Sequence, residues 1–139
     1  MISIDQDIDV SQFVSPLKQF WEVSLVKNRS LLESWCPNEG APVYTVNGKY
    51  SIRGWTEWTQ GFQIGSHLLQ FEGSGDIDSL HTGRELAMRQ MHNYVTHMGV
   101  HDHGFNVIST FGNLLRLAVH GAYESEHWER ETYRIALKC

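Results

Sequence analysis

The sequence predicts an all-α fold built of helical hairpins, and three observations lead there. Apolar residues recur every three to four positions in five separate segments, the spacing of an amphipathic helix. Short runs rich in glycine, proline and aspartate divide those segments. A rhythm of roughly 40–50 residues per helix pair runs along the chain, as in solenoids and toroids of helical hairpins.

Residues 1–14 are an acidic lead-in with no long periodic pattern. Ser15-Pro16 then reads as an N-cap followed by proline at the first helical position. Leu17, Phe20, Trp21, Leu25, Leu31, Leu32 and Trp35 continue it as a helix over about 15–34, and Cys36 to Pro42, with two prolines and a glycine, stops it. Residues 43–52 alternate poorly, but Asn47-Gly48 is a strong turn signal, so a long loop with a small hairpin is expected.

A second helix fits about 56–72, with Trp58, Gly61, Phe62, Gly65, Leu68 and Leu69 on one face and a glycine cap in Gly73-Ser74-Gly75-Asp76. A third fits about 79–98, capped by Asp78, with Ala87, Met91, Tyr94, Val95 and Met98 inward and Gly99 as its stop. A fourth fits about 106–120, turning Ile108, Phe111, Leu115 and Ala118 inward. A fifth starts at Ser125 with Glu126 and Glu129 in its first turn, where the helix dipole favours acids. Its expected face is Trp128, Ile135 and Ala136, and it is expected to be still running at Lys138-Cys139.

Composition narrows the function. The chain has 139 residues, is 41% hydrophobic and carries a net charge of −5, which suits one packed domain and gives no basic surface for nucleic acid. No apolar run approaches the roughly 20 residues of a membrane span, so no membrane partner is expected. The N-terminus lacks the basic and apolar regions of a secretory signal. Cys36 and Cys139 make neither a CxxC motif nor a disulfide framework. The expected location is the cytoplasm, or the periplasm if a signal peptide has been removed.

Two segments are candidates for chemistry. Trp55 to Phe62 gathers aromatic and polar groups at a helix start, where an indole face lies beside open backbone N–H groups; that pairing suits a sugar ring bearing an anionic group. The plainer alternative is packing, because Trp58 and Phe62 stand at i and i+4. The second segment, His101-Asp102-His103-Gly104-Phe105, sets a carboxylate between two imidazoles before a glycine that permits close approach. The plainer alternative is that Asp102 caps the fourth helix. His97, His101 and His103 raise the question of a metal, but H-x-x-x-H-x-H fits no tight zinc template. Gly61-x-x-x-Gly65 reads as a place where another helix comes close, since the polar residues around it exclude a membrane helix.

Trp58-Thr59-Gln60-Gly61-Phe62, then Gly65, then Glu72-Gly73-Ser74-Gly75-Asp76, then His101-Asp102-His103-Gly104-Phe105 resemble, in order and separation, the W-T-x-G-F, E-x-T-G-D and H-D-x-G-F landmarks of unsaturated glucuronyl hydrolases. These are glycoside hydrolase family 88 and the related family 105 of unsaturated rhamnogalacturonyl hydrolases. The resemblance covers about residues 16–139. Ser74 replaces the usual threonine and His103 a usual apolar residue, departures that bear on substrate subclass.

The resemblance implies an (α/α)6 toroid, of which residues 1–139 would be the N-terminal part, completed by the remainder of the catalytic barrel. It implies an unsaturated oligosaccharide substrate and no metal or organic cofactor. Asp102 would be one of two active-site aspartates, the other lying beyond this stretch, so the 139-residue chain by itself is expected to be inactive. Trp58 would be an aromatic wall of the substrate pocket, Gln60 its neighbour, and His101 and His103 the flanks of Asp102. A related toroid enzyme acting on saturated uronic acid or rhamnogalacturonan ends, or a non-catalytic helical carbohydrate-binding module, are the alternatives.

Overall fold

The computed structural model describes residues 7–35, 39–98 and 102–138. Among them the chain is mostly helical, with one two-stranded hairpin. The helices are α1 (Val14–Ser34), α2 (Thr59–Ser74), α3 (Ile77–Gln90), α4 (His103–Val107), α5 (Asn113–Val119) and α6 (His127–Ala136), with strands β1 (Ala41–Val46) and β2 (Lys49–Arg53) between α1 and α2. A π turn, Ile108–Gly112, joins α4 to α5. No helix among the described residues is long and apolar enough to cross a membrane.

Local signals produced what they promised. Asn47 and Gly48 both take positive φ, 51° and 77°, the pair of left-handed residues that closes a two-residue hairpin with the right twist. Val46 pairs with Lys49 and Ala41 with Arg53, with one irregularity between Pro42 and Thr45. Gly75, at φ 76°, ends α2 in the left-handed cap, its N–H donating to Phe71 O. Glu126 and Glu129 form a reciprocal capping box at the start of α6.

Several boundaries move. α1 begins at Val14, behind a 3₁₀ turn over Val10–Phe13 that Asp9 caps, so Ser15 and Pro16 lie inside the helix instead of opening it. Residues 54–58 form turns, Glu57 N–H donating to Gly54 O (3.1 Å), which delays α2 to Thr59. Asp76, not Asp78, caps α3: its Oδ2 accepts from Ser79 N–H (2.9 Å) and Ser79 Oγ–H (2.6 Å). α3 stops at Gln90, where Met91 leaves helical backbone and His92–Val95 tighten into a 3₁₀ turn; Gly99 lies outside the described residues, as does Cys36. α6 does not run on through Lys138: Lys138 N–H reaches back three residues to Ile135 O (3.0 Å), the tightening typical of a helix end.

The core gathers Ile64 and Leu68 of α2, Leu80 and Ala87 of α3, Met91 and Tyr94, Phe111 and Leu114, and Tyr133 and Ala136 of α6. Three expected faces are corrected. Ile108 and Met98 are exposed, and the fourth segment turns Val107, Thr110, Phe111, Leu114 and Leu117 inward instead. The reason is that α2 claims the Asn106–Ser109 side, and the π turn inserts an extra residue that rotates α5 about the helix axis. On α6, Trp128 and Ile135 are exposed, and the buried stripe is Glu129, Tyr133 and Ala136. Glu129 belongs inside because Arg84 of α3 meets it with two hydrogen bonds, Nε–H at 2.7 Å and Nη2–H at 2.6 Å.

Candidate functional site

Gly61 and Gly65 let α4 and the π turn approach α2 almost backbone to backbone. A Cβ on Gly61 would lie 2.7 Å from Phe105 O, and one on Gly65 would lie 2.5 Å from Ser109 O. Into this contact Asn106, fully buried, sends its side chain. Asn106 Oδ1 accepts from Gly61 N–H (2.7 Å); its Nδ2 donates to Glu57 O (3.2 Å) and to the Tyr94 hydroxyl (2.9 Å). The Tyr94 hydroxyl in turn donates to Trp55 O. With Oδ1 on the one donor and Nδ2 on the two oxygens, this amide orientation satisfies every partner. Two segments 45 to 49 residues apart are thereby brought together.

On the outside of this contact three aromatic rings form a shelf. Trp58 meets Phe62 edge-on at 5.5 Å and Phe105 at 5.9 Å, and Phe62 lies 5.6 Å from Phe105. These separations are those of mutually favourable ring pairs. All three rings are exposed, Trp58 at 40%, so its indole is shelf and not core. Asp102 stands one turn before Phe105, whose N–H donates to Asp102 O (3.0 Å). Asp102 occupies the cap position of α4, yet its carboxylate makes no capping hydrogen bond there.

Behind the shelf, His103 is buried. Its ring stacks on Tyr94 at 5.2 Å and tilts against His97 at 5.4 Å, and His97 packs edge-on to Trp55 at 5.2 Å. Both His103 ring nitrogens and His97 Nδ1 lack a hydrogen-bond partner among the described residues. Burial, and next the neighbouring His97, push the His103 pKa down, so its imidazole is neutral at pH 7. Burial pushes Tyr94 up to about 12 against the opposing hydrogen bond from Asn106, keeping its hydroxyl a donor. Gln60 is also buried, its Oε1 without a partner among the described residues, as are Thr59 Oγ1 and the whole Gln63 amide.

Among the expected site residues, then, Trp58 presents an open face and Asp102 lies one turn from the ring that meets it, while Gln60 and His103 lie beneath the surface. His101 lies outside the described residues. The Glu72–Asp76 landmark serves architecture: Asp76 caps α3, and Glu72 takes two 2.6 Å hydrogen bonds from Arg116 of α5. That segment stands at the far end of α2, whose 16 residues rise about 24 Å. No group of three or more His, Cys, Asp or Glu among the described residues could hold a metal ion. Sequence reading passed over Asn106 and gave Tyr94 only a place in the buried stripe of the third helix; the available signal was an Asn inside an apolar helical stretch, opposite a glycine pair in need of a close neighbour. No protein-family model, curated protein or solved structure matches the chain.

Proposed function

We propose that this chain forms one wall of a uronyl site in a glycoside hydrolase of the unsaturated glucuronyl type. The reaction removes a 4,5-unsaturated uronic acid from the non-reducing end of lyase-generated oligosaccharides. One observation carries the reading: the Trp58–Phe62 and Asp102–Phe105 segments, which resemble the family's two pocket motifs, meet at the Trp58–Phe105 contact of 5.9 Å. The cap alternative for Asp102 loses support, since its carboxylate makes no capping bond to α4. The packing of Leu68 against Gly83, on either side of the Gly75-Asp76 link, favours the helix-pair arrangement that an (α/α)6 toroid repeats.

In this reading the Trp58 face stacks on the sugar ring and Asp102 accepts hydrogen bonds from ring hydroxyls. An acid protonates C4 of the enol ether, charge develops at C5 and the ring oxygen, water adds at C5, and the hemiketal opens to release the neighbouring sugar. The proton-transferring aspartate comes from outside the 139 residues. Calorimetric titration of the chain with an unsaturated glucuronyl disaccharide is expected to show saturable binding, weakened at least tenfold by Asp102→Asn and by Trp58→Ala. No saturable binding of the unsaturated disaccharide would overturn the proposal, and equal binding of its saturated counterpart would shift it to the related enzymes. Loss of the enol-ether absorbance with the chain alone would overturn the placement of the second aspartate outside it.

A further inference from the structure

We infer that Asn106 is the positioning residue of the aromatic shelf: its single amide, held between Glu57 O, Gly61 N–H and the Tyr94 hydroxyl, fixes Trp58 against Phe105. The inference deepens the proposed sugar site and rests on it for the ligand alone. Trp58 lies between Glu57 and Gly61, and Asn106 holds the backbone on both sides of it, 3.2 Å from Glu57 O and 2.7 Å from Gly61 N. Phe105 is its immediate chain neighbour, so the amide that grips the Trp58 segment also carries the ring opposite. Tyr94 extends the grip to Trp55 O, which holds the turn leading into Trp58. Thr110 Oγ1–H on Asn106 O (2.7 Å) anchors the Asn106 backbone to the π turn.

The Trp58 side of the shelf needs such a device because it precedes α2 and is not held by helix or strand hydrogen bonds. Residues 54–58 form turns, and the Trp58 ring lies at the surface, outside the core. An aspartate at 106 keeps the size and the acceptor for Gly61 N–H. It removes the donor that Glu57 O requires and sets a carboxylate against that carbonyl. The two halves of the shelf would then separate while the core remains.

Two readouts on Asn106→Asp test this: proton NOEs between the Trp58 indole and the Phe105 ring, and affinity for the unsaturated glucuronyl disaccharide. Phe111→Leu, a core change outside the network, serves as the control for lost stability. The expected result is that Asn106→Asp loses the NOEs and at least tenfold in affinity, whereas Phe111→Leu lowers Tm and keeps both. Retention of the NOEs in Asn106→Asp, or their equal loss in Phe111→Leu, overturns the inference. If Asn106→Asp does not fold, Tyr94→Phe removes only the hydroxyl; weakened NOEs at unchanged core chemical shifts support the inference, and unchanged NOEs overturn it. The NOEs need no sugar, so a wild-type chain that fails to bind the disaccharide defeats the functional proposal and leaves Asn106 still decided.

Discussion

α1 and α2 are both amphipathic by sequence, yet they invert each other. α1 carries Leu17, Phe20, Val23 and Val26 in the open, and none of its 21 residues is fully buried. α2 buries Gln60, Gln63, His67 and Gln70 along with Gly61, Ile64, Gly65 and Leu68, and leaves Phe62 and Leu69 exposed, as is Trp58 just before it. What separates them is the neighbour each can admit. The α2 glycines bring a second backbone so close that burial is decided by contact geometry, and polar side chains come along. The α1 stripe offers bulk, and only Trp21, Ser24, Leu25, Asn28, Leu31 and Leu32 are partly covered, with the Trp21 ring lying over Gly73. Apolar spacing marks a helix; it does not say how much of that helix will be covered.

The contrast can be broken most sharply at Phe111, which is fully buried and stacked on Tyr133 at 5.7 Å. Phe111→Ala is expected to cost about 3–5 kcal/mol in urea denaturation, the range for emptying a buried aromatic site. A cost below about 1 kcal/mol would mean the core is less tightly filled than its burial indicates. Next comes Gly65→Ala. The substitution favours a free helix by about 1 kcal/mol. Here, however, its Cβ would meet Ser109 O at 2.5 Å, so a net loss of about 1–3 kcal/mol is expected. Neutrality or a gain would remove the close contact as the organising feature of α2.

Trp58→Ala should leave Tm nearly unchanged and weaken the proposed binding of the unsaturated disaccharide about tenfold, equivalent to about 1.4 kcal/mol. A large drop in Tm with binding intact would move the indole from shelf to core.

Acid probes the buried polar groups of α2, α4 and α6 separately. Burial holds His67 below its ordinary 6.5 against the opposing pull of Asp76, and burial with His97 does the same for His103. The unfolded chain takes up these protons first. Stability is therefore complete above pH 6.5 and is lost as the pH falls below it. Glu129 behaves differently: burial would raise it, but Arg84, the Glu126 N–H and Tyr133 hold it below 4.5, so its contribution is lost only at lower pH. Replacing both histidines, His67→Leu with His103→Leu, should flatten the first stretch and leave the second; an unchanged slope between 6.5 and 4.5 would show that neither imidazole titrates with unfolding.

The smallest effect belongs to α1. Phe20→Ala should cost about 1 kcal/mol or less, since the ring is already half in water. Set beside Phe111→Ala, it measures the same substitution on the two kinds of surface, and equal costs would erase the distinction.

The same division separates the features legible in the sequence from those that were not. Asn47-Gly48, the Gly75 cap and the acidic start of α6 were legible because each is settled within a few neighbouring residues. Trp58 and Asp102 were legible as candidates because they stand in compact motifs. Arg84–Glu129, 45 residues apart, was not, and so the face of α6 was misread towards Trp128. The Asn106 grip was hidden for the same reason: a buried Asn gains its meaning from partners 12 to 49 residues away. The stripe of α1 marked a helix but not its exposure, because periodicity reports the pattern and not the partner.

The notched contact of α2 also governs how these helices can move. Gly61 faces Asn106, and four residues on, Gly65 faces Ser109. Sliding α2 along its axis by one turn would carry Leu69 into the place of Gly65 or, in the other direction, Glu57 into the place of Gly61, and neither space admits a Cβ. Sliding is therefore barred, and the contact can only hold or part. A ligand on the shelf would meet a jaw with a fixed hinge side. Any adjustment to its size has to come from the rings themselves or from elements outside that seam.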